Sequence, residues 1–304
     1  MTTHKICMVG GTGFVGRRLA ARLSEAGHDI VILTRRRERH RDLLVLPGLR
    51  LAEGDVHQPS FLQRELQGRD TVVNLVGILN EPGRDGRGFA RAHAELPGII
   101  VQACRQTGVP RLLHMSALHA APGAPSHYLR TKAAGEEAAH RADGADFHVT
   151  SFRPSVIFGP GDGFLNRFAT LLRLAPGVFP LACPDARFQP VYVEDVVRAF
   201  VESLDNHKTF GQRYDLCGPR VYALREIVEY VAKLIDKRVC VVGLNDTLSY
   251  LQAAVMEFVP GKPFSLDNYH SLRLDSVCDK GFPAVFGITP ESLEQIAPTY
   301  ITPR

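Results

Sequence analysis

The sequence predicts an α/β fold, a parallel sheet covered by helices on both faces, and two observations lead there. Short apolar runs alternate with stretches of helical period through the first half of the chain, which is the pattern of repeated βαβ units. A glycine-rich turn stands between the first run and the first helical stretch, where such a fold places its tightest crossover.

In chain order, "KICMVGG" reads as a buried strand and "VGRRLAARLSEAG" as a helix closed by Gly27. "DIVILTR" is a second strand, "EGDV" ends a third and "DTVVNLVG" is a fourth. "LPGIIVQACRQTG" then reads as a helix, "RLLHMSA" as a strand, "YLRTKAAGEEAAHRA" as a helix and "FHVTSFRP" as a strand. Past Pro154 the texture changes. "IFGPGDGFLNRF" is glycine-rich and loop-like, "FATLLRLAPG" is helical, and "RFQPVYVEDVVRAFVESL" runs from strand into helix. "QRYDLCGP" resembles one more strand, "LREIVEYVAKLI" has helical spacing, and the Pro-, Phe- and Leu-rich C-terminal stretch shows no clear period. The expected organisation is a larger unit, residues 1–158 with 187–217 returning to it, and a smaller substrate-side lobe, 159–186 and 218–304.

A chain of 304 residues buries a sizeable core, and 45% hydrophobic with 22% charged residues is ordinary for a globular protein. The net charge of +4 comes largely from "RRRERHR", a local run rather than a basic face, so nucleic acid is not an expected partner. Six cysteines lie far apart with no C-x-x-C, which disfavours zinc and a disulfide framework and suits a reducing cytoplasm; no metal site is expected. The N-terminus enters strand-like sequence at once, without a recognisable export leader, and no stretch has the length of a bilayer-spanning helix. A cytoplasmic location is expected, with peripheral attachment to a membrane complex left open.

The turn "GGTGFVG" sets Gly10, Gly13 and Gly16 three apart, with Thr12, Phe14 and Val15 between them. One glycine makes the turn, one lets a pyrophosphate approach the backbone, and one allows close helix-to-strand packing. The helix start behind them offers free N–H groups and the positive dipole end, so a dinucleotide is the expected ligand. Many such sites close the second strand with an acid that accepts from a ribose 2′-hydroxyl. Here Arg35 and Arg36 follow Thr34, and a guanidinium suits a 2′-phosphate, favouring NADP(H) over NAD(H). Asp55 and Val56 are candidates to frame the adenine, although Asp55 also suits a local cap. Leu75, Val76 and Gly77 end the fourth strand, where a missing side chain would let the cofactor cross the sheet edge.

The ordered set "GGTGFVG", "EGDV", "NLVG", "HMSALHA", "YLRTKAAGE", "SFRPSVIFGPGD" and "QPVYVEDV" resembles the extended short-chain dehydrogenase/reductase superfamily, over residues 5 to about 245. The wording is most similar to the atypical branch that contains the nucleotide-binding accessory subunit of respiratory complex I and its bacterial relatives. The resemblance implies a Rossmann-type doubly wound sheet. It puts Tyr128 and Lys132 on the Y-x-x-x-K motif, as acid/base and as cofactor anchor. The ammonium, with the oxidised nicotinamide, is expected to lower the phenol pKa from its usual value near 10. The third catalytic position, normally Ser or Thr, falls on Ala117 beside Ser116, with Ser126 or a water as substitute donors. Pro154, Ser155, Val156 and Ile157 would line the nicotinamide, and Arg153 and Asp195 serve as anchors or substrate contacts. His114 and His119 flank the site in packing or surface roles. The implied function is an NADP(H)-dependent oxidoreductase acting on a carbonyl, hydroxyl or quinone-like small molecule. Two alternatives stay open: a catalytically weak NADPH-holding assembly factor, and an NAD-dependent epimerase or dehydratase.

Overall fold

The computed structural model describes residues 3–260 and 262–303. The chain opens with β1 (Lys5–Val9), α1 (Phe14–Glu25), β2 (Asp29–Thr34), β3 (Leu49–Glu53), α2 (Pro59–Leu66) and β4 (Thr71–Asn74). A short α3 (Arg87–Phe89) runs through a π-helical turn (Ala90–Glu95) into α4 (Leu96–Thr107), and β5 (Arg111–Met115), α5 (His127–His140) and β6 (His148–Pro154) follow. The second half contains β7 (Ile157–Phe158), α6 (Leu165–Leu174), β8 (Val178–Leu181), β9 (Arg187–Phe188), β10 (Val191–Tyr192), α7 (Val193–Glu202), β11 (Arg213–Leu216) and β12 (Tyr222–Ala223). It ends with α8 (Leu224–Leu234), β13 (Cys240–Gly243), α9 (Asp246–Met256), α10 (Leu266–Ser271) and α11 (Leu293–Ile296).

Seven strands form one parallel sheet in the order β11-β6-β5-β4-β1-β2-β3. Period-two alternation sends Ile6, Met8, Ile30 and Ile32 to one face, against Leu19 and Leu23 of α1 and Val196 and Phe200 of α7. Cys7, Val9, Val31 and Leu33 go to the other, against Phe61 and Leu62 of α2 and Ile100 and Cys104 of α4. Because both faces are covered, the strands are apolar throughout rather than at alternate positions. The strand order reverses between β1 and β4, which opens a crevice at the carboxyl ends of these strands. A separate core gathers Leu165, Leu172, Ile227, Val231 and Leu293 around α6, α8 and α11. Phe286 and Ile288, late in the chain, return to the α7 side of the main sheet.

The expectation about disulfides is corrected at one place: Cys217 and Cys278, 61 residues apart, are bonded, with Cα atoms 6.1 Å apart. The segment carrying Cys278 is laid beside β9 by backbone bonds, Ser276 N–H to the Arg187 carbonyl (2.7 Å) and Gln189 N–H to the Ser276 carbonyl (2.9 Å). Separation along the chain carries no information about such a return. Among the described residues no helix is long and apolar enough to cross a membrane.

Candidate functional site

The glycine turn is built as its spacing suggested, but the three glycines are required for different reasons. Gly10 has φ +81°, and an added Cβ would sit 2.9 Å from the Leu75 carbonyl carbon. Gly16 abuts the turn so closely that a Cβ would lie 2.5 Å from the Gly11 Cα. Gly13 has ordinary φ (−78°), and its Cβ would meet only the Gly10 carbonyl oxygen, at 3.4 Å. The protein itself does not need a glycine there. Gly13 is the N-cap of α1 without any capping side chain, so the N–H groups of Phe14, Val15 and Gly16 are left to an outside acceptor. An open cradle at a helix start with unpaired donors fits a pyrophosphate.

Around this turn, Arg35 and Arg36 are exposed beyond β2 and pair with no carboxylate among the described residues. Arg17 and Arg41, by contrast, pair with Asp42 and Glu38. Asp55 lies past β3, accepts from the His57 N–H (3.0 Å) and is 3.7 Å from Arg91; Gln58, not Asp55, is the N-cap of α2. Val56 packs beside the α2–α4 core. Leu75 donates its N–H to the Val9 carbonyl and Val76 to the Asn74 side chain, so the end of β4 is tied to β1, and Gly77 lies exposed just beyond.

Helix α5 supplies the polar face of the crevice. Ser126 caps it, its buried Oγ accepting from the Leu129 N–H (3.2 Å), which leaves the O–H itself without an acceptor among the described residues. Lys132, buried, gives one N–H to the Val76 carbonyl (3.0 Å) and one to the Met115 carbonyl (2.9 Å). Its third donor has no partner among the described residues, and a Cβ at Gly77 would stand only 3.4 Å from Nζ. Burial pulls the Lys132 pKa down to about 8, against the opposing pull of the Glu136 carboxylate.

Tyr128, one turn earlier, sets its ring edge-on to His93 (centroids 5.4 Å, 87°) and to Phe89 (6.3 Å, 75°), and packs beside Ala117. His93 is locked in place: its Nε2 accepts from the Ile78 N–H (2.9 Å), leaving Nδ1 to meet Thr131 Oγ1 (3.2 Å). Burial, then Lys132, drives the His93 pKa down to about 2, so it stays neutral. The π-helical turn carrying His93 approaches α5 so closely that a Cβ at Gly135 would sit 1.8 Å from the His93 carbonyl oxygen. The expected lowering of the Tyr128 pKa is corrected. Burial first, and the Asp267 carboxylate second, push the phenol up to about 12. The phenol is therefore neutral and ready as a proton donor.

Ser116, a candidate catalytic residue, is not brought to Tyr128. It is buried, and its Oγ donates to Glu136 Oε2 at 2.6 Å, in a cluster completed by Arg153 and Arg213. Ser116 and Ala117 lie just past the end of β5, and Ala117, with Ala124 and Leu129, forms the small apolar cluster against which Tyr128 packs. Arg153 is accordingly an anchor for Glu136, and Asp195 accepts from the Glu291 N–H (2.9 Å) at the start of α7. Pro154 and Ile157 lie partly exposed at the end of β6 and in β7, while Ser155 is turned to Ser276 (2.9 Å). His114 is buried against Asn74, and His119 meets the Val277 carbonyl (2.9 Å). Sequence reasoning missed Asp267, which accepts from the backbone N–H groups of His127 (2.6 Å) and Tyr128 (3.1 Å). Nothing near residue 267 marks it in the sequence.

Residues 6–217 match the family described as NAD dependent epimerase/dehydratase family. The chain belongs to that family, within the extended short-chain dehydrogenase/reductase superfamily. It is 32% identical over 231 residues to NADH dehydrogenase (ubiquinone) 1 alpha subcomplex subunit 9, mitochondrial, of Mus musculus, covering 73% of this chain and 59% of that protein. With the Arabidopsis thaliana protein of the same name it shares 30% identity over 280 residues, 88% of this chain and 67% of the other. It is also 31% identical over 199 residues to the ceramide reductase of Caulobacter vibrioides, covering 64% and 59%. The chain thus spans little more than half the length of some curated relatives that it matches. Among solved structures, MoeE5 in complex with UDP-glucuronic acid and NAD superposes with a TM-score of 0.67 at 24% identity, covering 79% of this chain and 85% of that one. A Bacillus cereus UDP-glucuronic acid 4-epimerase gives 0.69 at 16%, covering 88% and 98%. These likenesses show the fold.

Proposed function

We propose that this protein is an NADP(H)-dependent reductase acting on a carbonyl carbon of a small molecule. One observation carries the reading: Lys132 holds two carbonyls and presents its remaining N–H beneath Gly77, one helical turn from a neutral phenol at Tyr128. In this reading Gly10, Thr12, Gly13, Phe14, Val15 and Gly16 cradle the pyrophosphate, and Arg35 and Arg36 grip the 2′-phosphate. Asp55 and Val56 frame the adenine, Leu75, Val76 and Gly77 pass beneath the cofactor, and Pro154 and Ile157 border its nicotinamide. Bound NADPH supplies a hydride. Lys132 bonds the nicotinamide ribose hydroxyls, and Tyr128 Oη donates the proton to the carbonyl oxygen. Residues 1–158 with 187–217 hold the cofactor, and 159–186 with 218–304 cover the substrate. The test is steady-state NADPH oxidation over a panel of aldehydes, ketones and quinones, beside Tyr128→Phe. Equal rates in both forms overturn the assignment.

A second reading, an NADPH-holding assembly factor peripheral to a membrane complex, draws support from Ala117, which leaves the oxyanion without its usual fixed hydroxyl, a loss of roughly 10² to 10³ in rate elsewhere. The names of the mouse and Arabidopsis relatives point the same way. Stoichiometric NADPH released on denaturation, with no turnover on any substrate, favours it.

A further inference from the structure

Helix α9 is amphipathic in the wrong sense. Its inward side carries the small buried residues Ser249 and Ala253, whereas Leu248, Leu251 and Val255 stand in solvent, 46%, 55% and 58% exposed. Phe258 (77%) and Val259 (40%) continue the row past the last helical turn. From Leu248 these positions fall at i+3, i+7, i+10 and i+11, a stripe of about 100° opposite the buried side. Among the described residues fourteen large apolar side chains are exposed, and six of them, Tyr250 included, fall between 248 and 259, so this is a patch rather than scatter. Leu79, 60% exposed, joins its end, its carbonyl held by Asn268 at 3.2 Å.

The rim of the patch is cationic. The Arg84 guanidinium lies over the Phe258 ring at 4.4 Å while pairing with Glu257 (2.7 Å). Lys262 donates to the carbonyls of Glu81 and Gly83 (2.9 Å each), and Arg167 to that of Pro263 (3.2 Å). Neither lies within 4 Å of a carboxylate among the described residues, and the acidic groups lining the same hollow as Lys262 are held by other donors, Glu81 by the Gly86 and Gly88 N–H groups, Glu257 by Arg84 and Asp267 by the His127 and Tyr128 N–H groups. An apolar helical stripe edged by two cations without an ion-pair partner complements one environment, acyl chains beneath an anionic headgroup layer. We propose that the outer face of α9, with Phe258 and Leu79, docks this protein onto the surface of an anionic lipid bilayer. The proposal is independent of turnover at Tyr128.

The test is co-sedimentation of the full chain with phosphatidylcholine vesicles, with and without phosphatidylglycerol, beside Leu251→Glu/Val255→Glu and, separately, Arg167→Glu. The substituted side chains are exposed, and unchanged circular dichroism and melting verify the fold. The wild type is expected to bind the anionic vesicles in a salt-sensitive manner. Each glutamate on the stripe should weaken binding about tenfold or more, and Arg167→Glu by roughly fivefold. No binding to anionic vesicles, or equal binding by the stripe variant, overturns the proposal. So does a wild-type dimer that the stripe substitutions turn into a monomer in sedimentation equilibrium, because the face would then belong to a second copy.

Discussion

Gly13→Ala and Gly16→Ala, two chemically identical changes three residues apart, should separate ligand binding from folding. At Gly16 the new methyl would stand 2.5 Å from the Gly11 Cα and 2.6 Å from its carbonyl carbon and oxygen. Backbone cannot rotate out of the way as a side chain does, so overpacking of about 1 to 3 kcal/mol is expected. That corresponds to roughly 2 to 4 °C of melting temperature per kcal/mol in a domain of this size. At Gly13 the methyl meets only the Gly10 oxygen, at 3.4 Å, and the backbone angle suits alanine. A small capping loss of about 0.5 kcal/mol is offset by a similar gain from a less flexible unfolded chain, so stability should change by less than about 0.5 kcal/mol. The same methyl occupies the space assigned to the pyrophosphate and should weaken NADPH binding roughly tenfold or more. The assay is urea unfolding of nucleotide-free protein together with NADPH fluorescence titration. Wild-type affinity in Gly13→Ala, or equal destabilisation by both changes, refutes the cradle.

Tyr128→Phe should lower NADPH-dependent turnover by about 10² to 10⁴ while leaving nucleotide affinity within about twofold, read by steady-state kinetics and titration. Ser116→Ala removes a donor to the buried Glu136 carboxylate, so about 1 to 3 kcal/mol of unfolding free energy should be lost without a matching loss of NADPH affinity. The folded pKa of Lys132, about 8, lies below that of an unfolded lysine near 10.4. Below pH 8 both states hold the proton; between these values only the unfolded state does, so this residue makes stability rise with pH, by up to about 1.4 kcal/mol per unit. Lys132→Met should remove that rise, as measured by urea unfolding from pH 8 to 10. Cleaving the Cys217–Cys278 bond frees a loop of 61 residues, and unfolding free energy should fall by about 4 kcal/mol in reductant, with Cys217→Ser insensitive to it.

The strands and helices of the sheet were legible because each announces itself within a few residues: Ile6 to Val9 as an apolar run, Gly27 and Gly108 as left-handed helix stops. The crevice was legible for the same reason, since Gly10, Gly13 and Gly16 lie within one turn and Tyr128 and Lys132 within another. Helix α9 was not, because its apolar residues face outward and the inward ones are small, which erases the usual contrast between the two faces.

What the amino-acid sequence by itself determined was the parallel sheet, its order of elements, and the placing of a glycine cradle and a Tyr–Lys pair on it. These follow from local periodicity and local conformational preference. Only the tertiary structure decided that Ser116 turns away to Glu136 and that Asp267 caps the helix bearing Tyr128. It also decided that Cys217 meets Cys278 and that burial moves the Tyr128 pKa up rather than down. Each of these depends on burial or on partners tens of residues away, and both are set by how the chain packs rather than by how it is spelled.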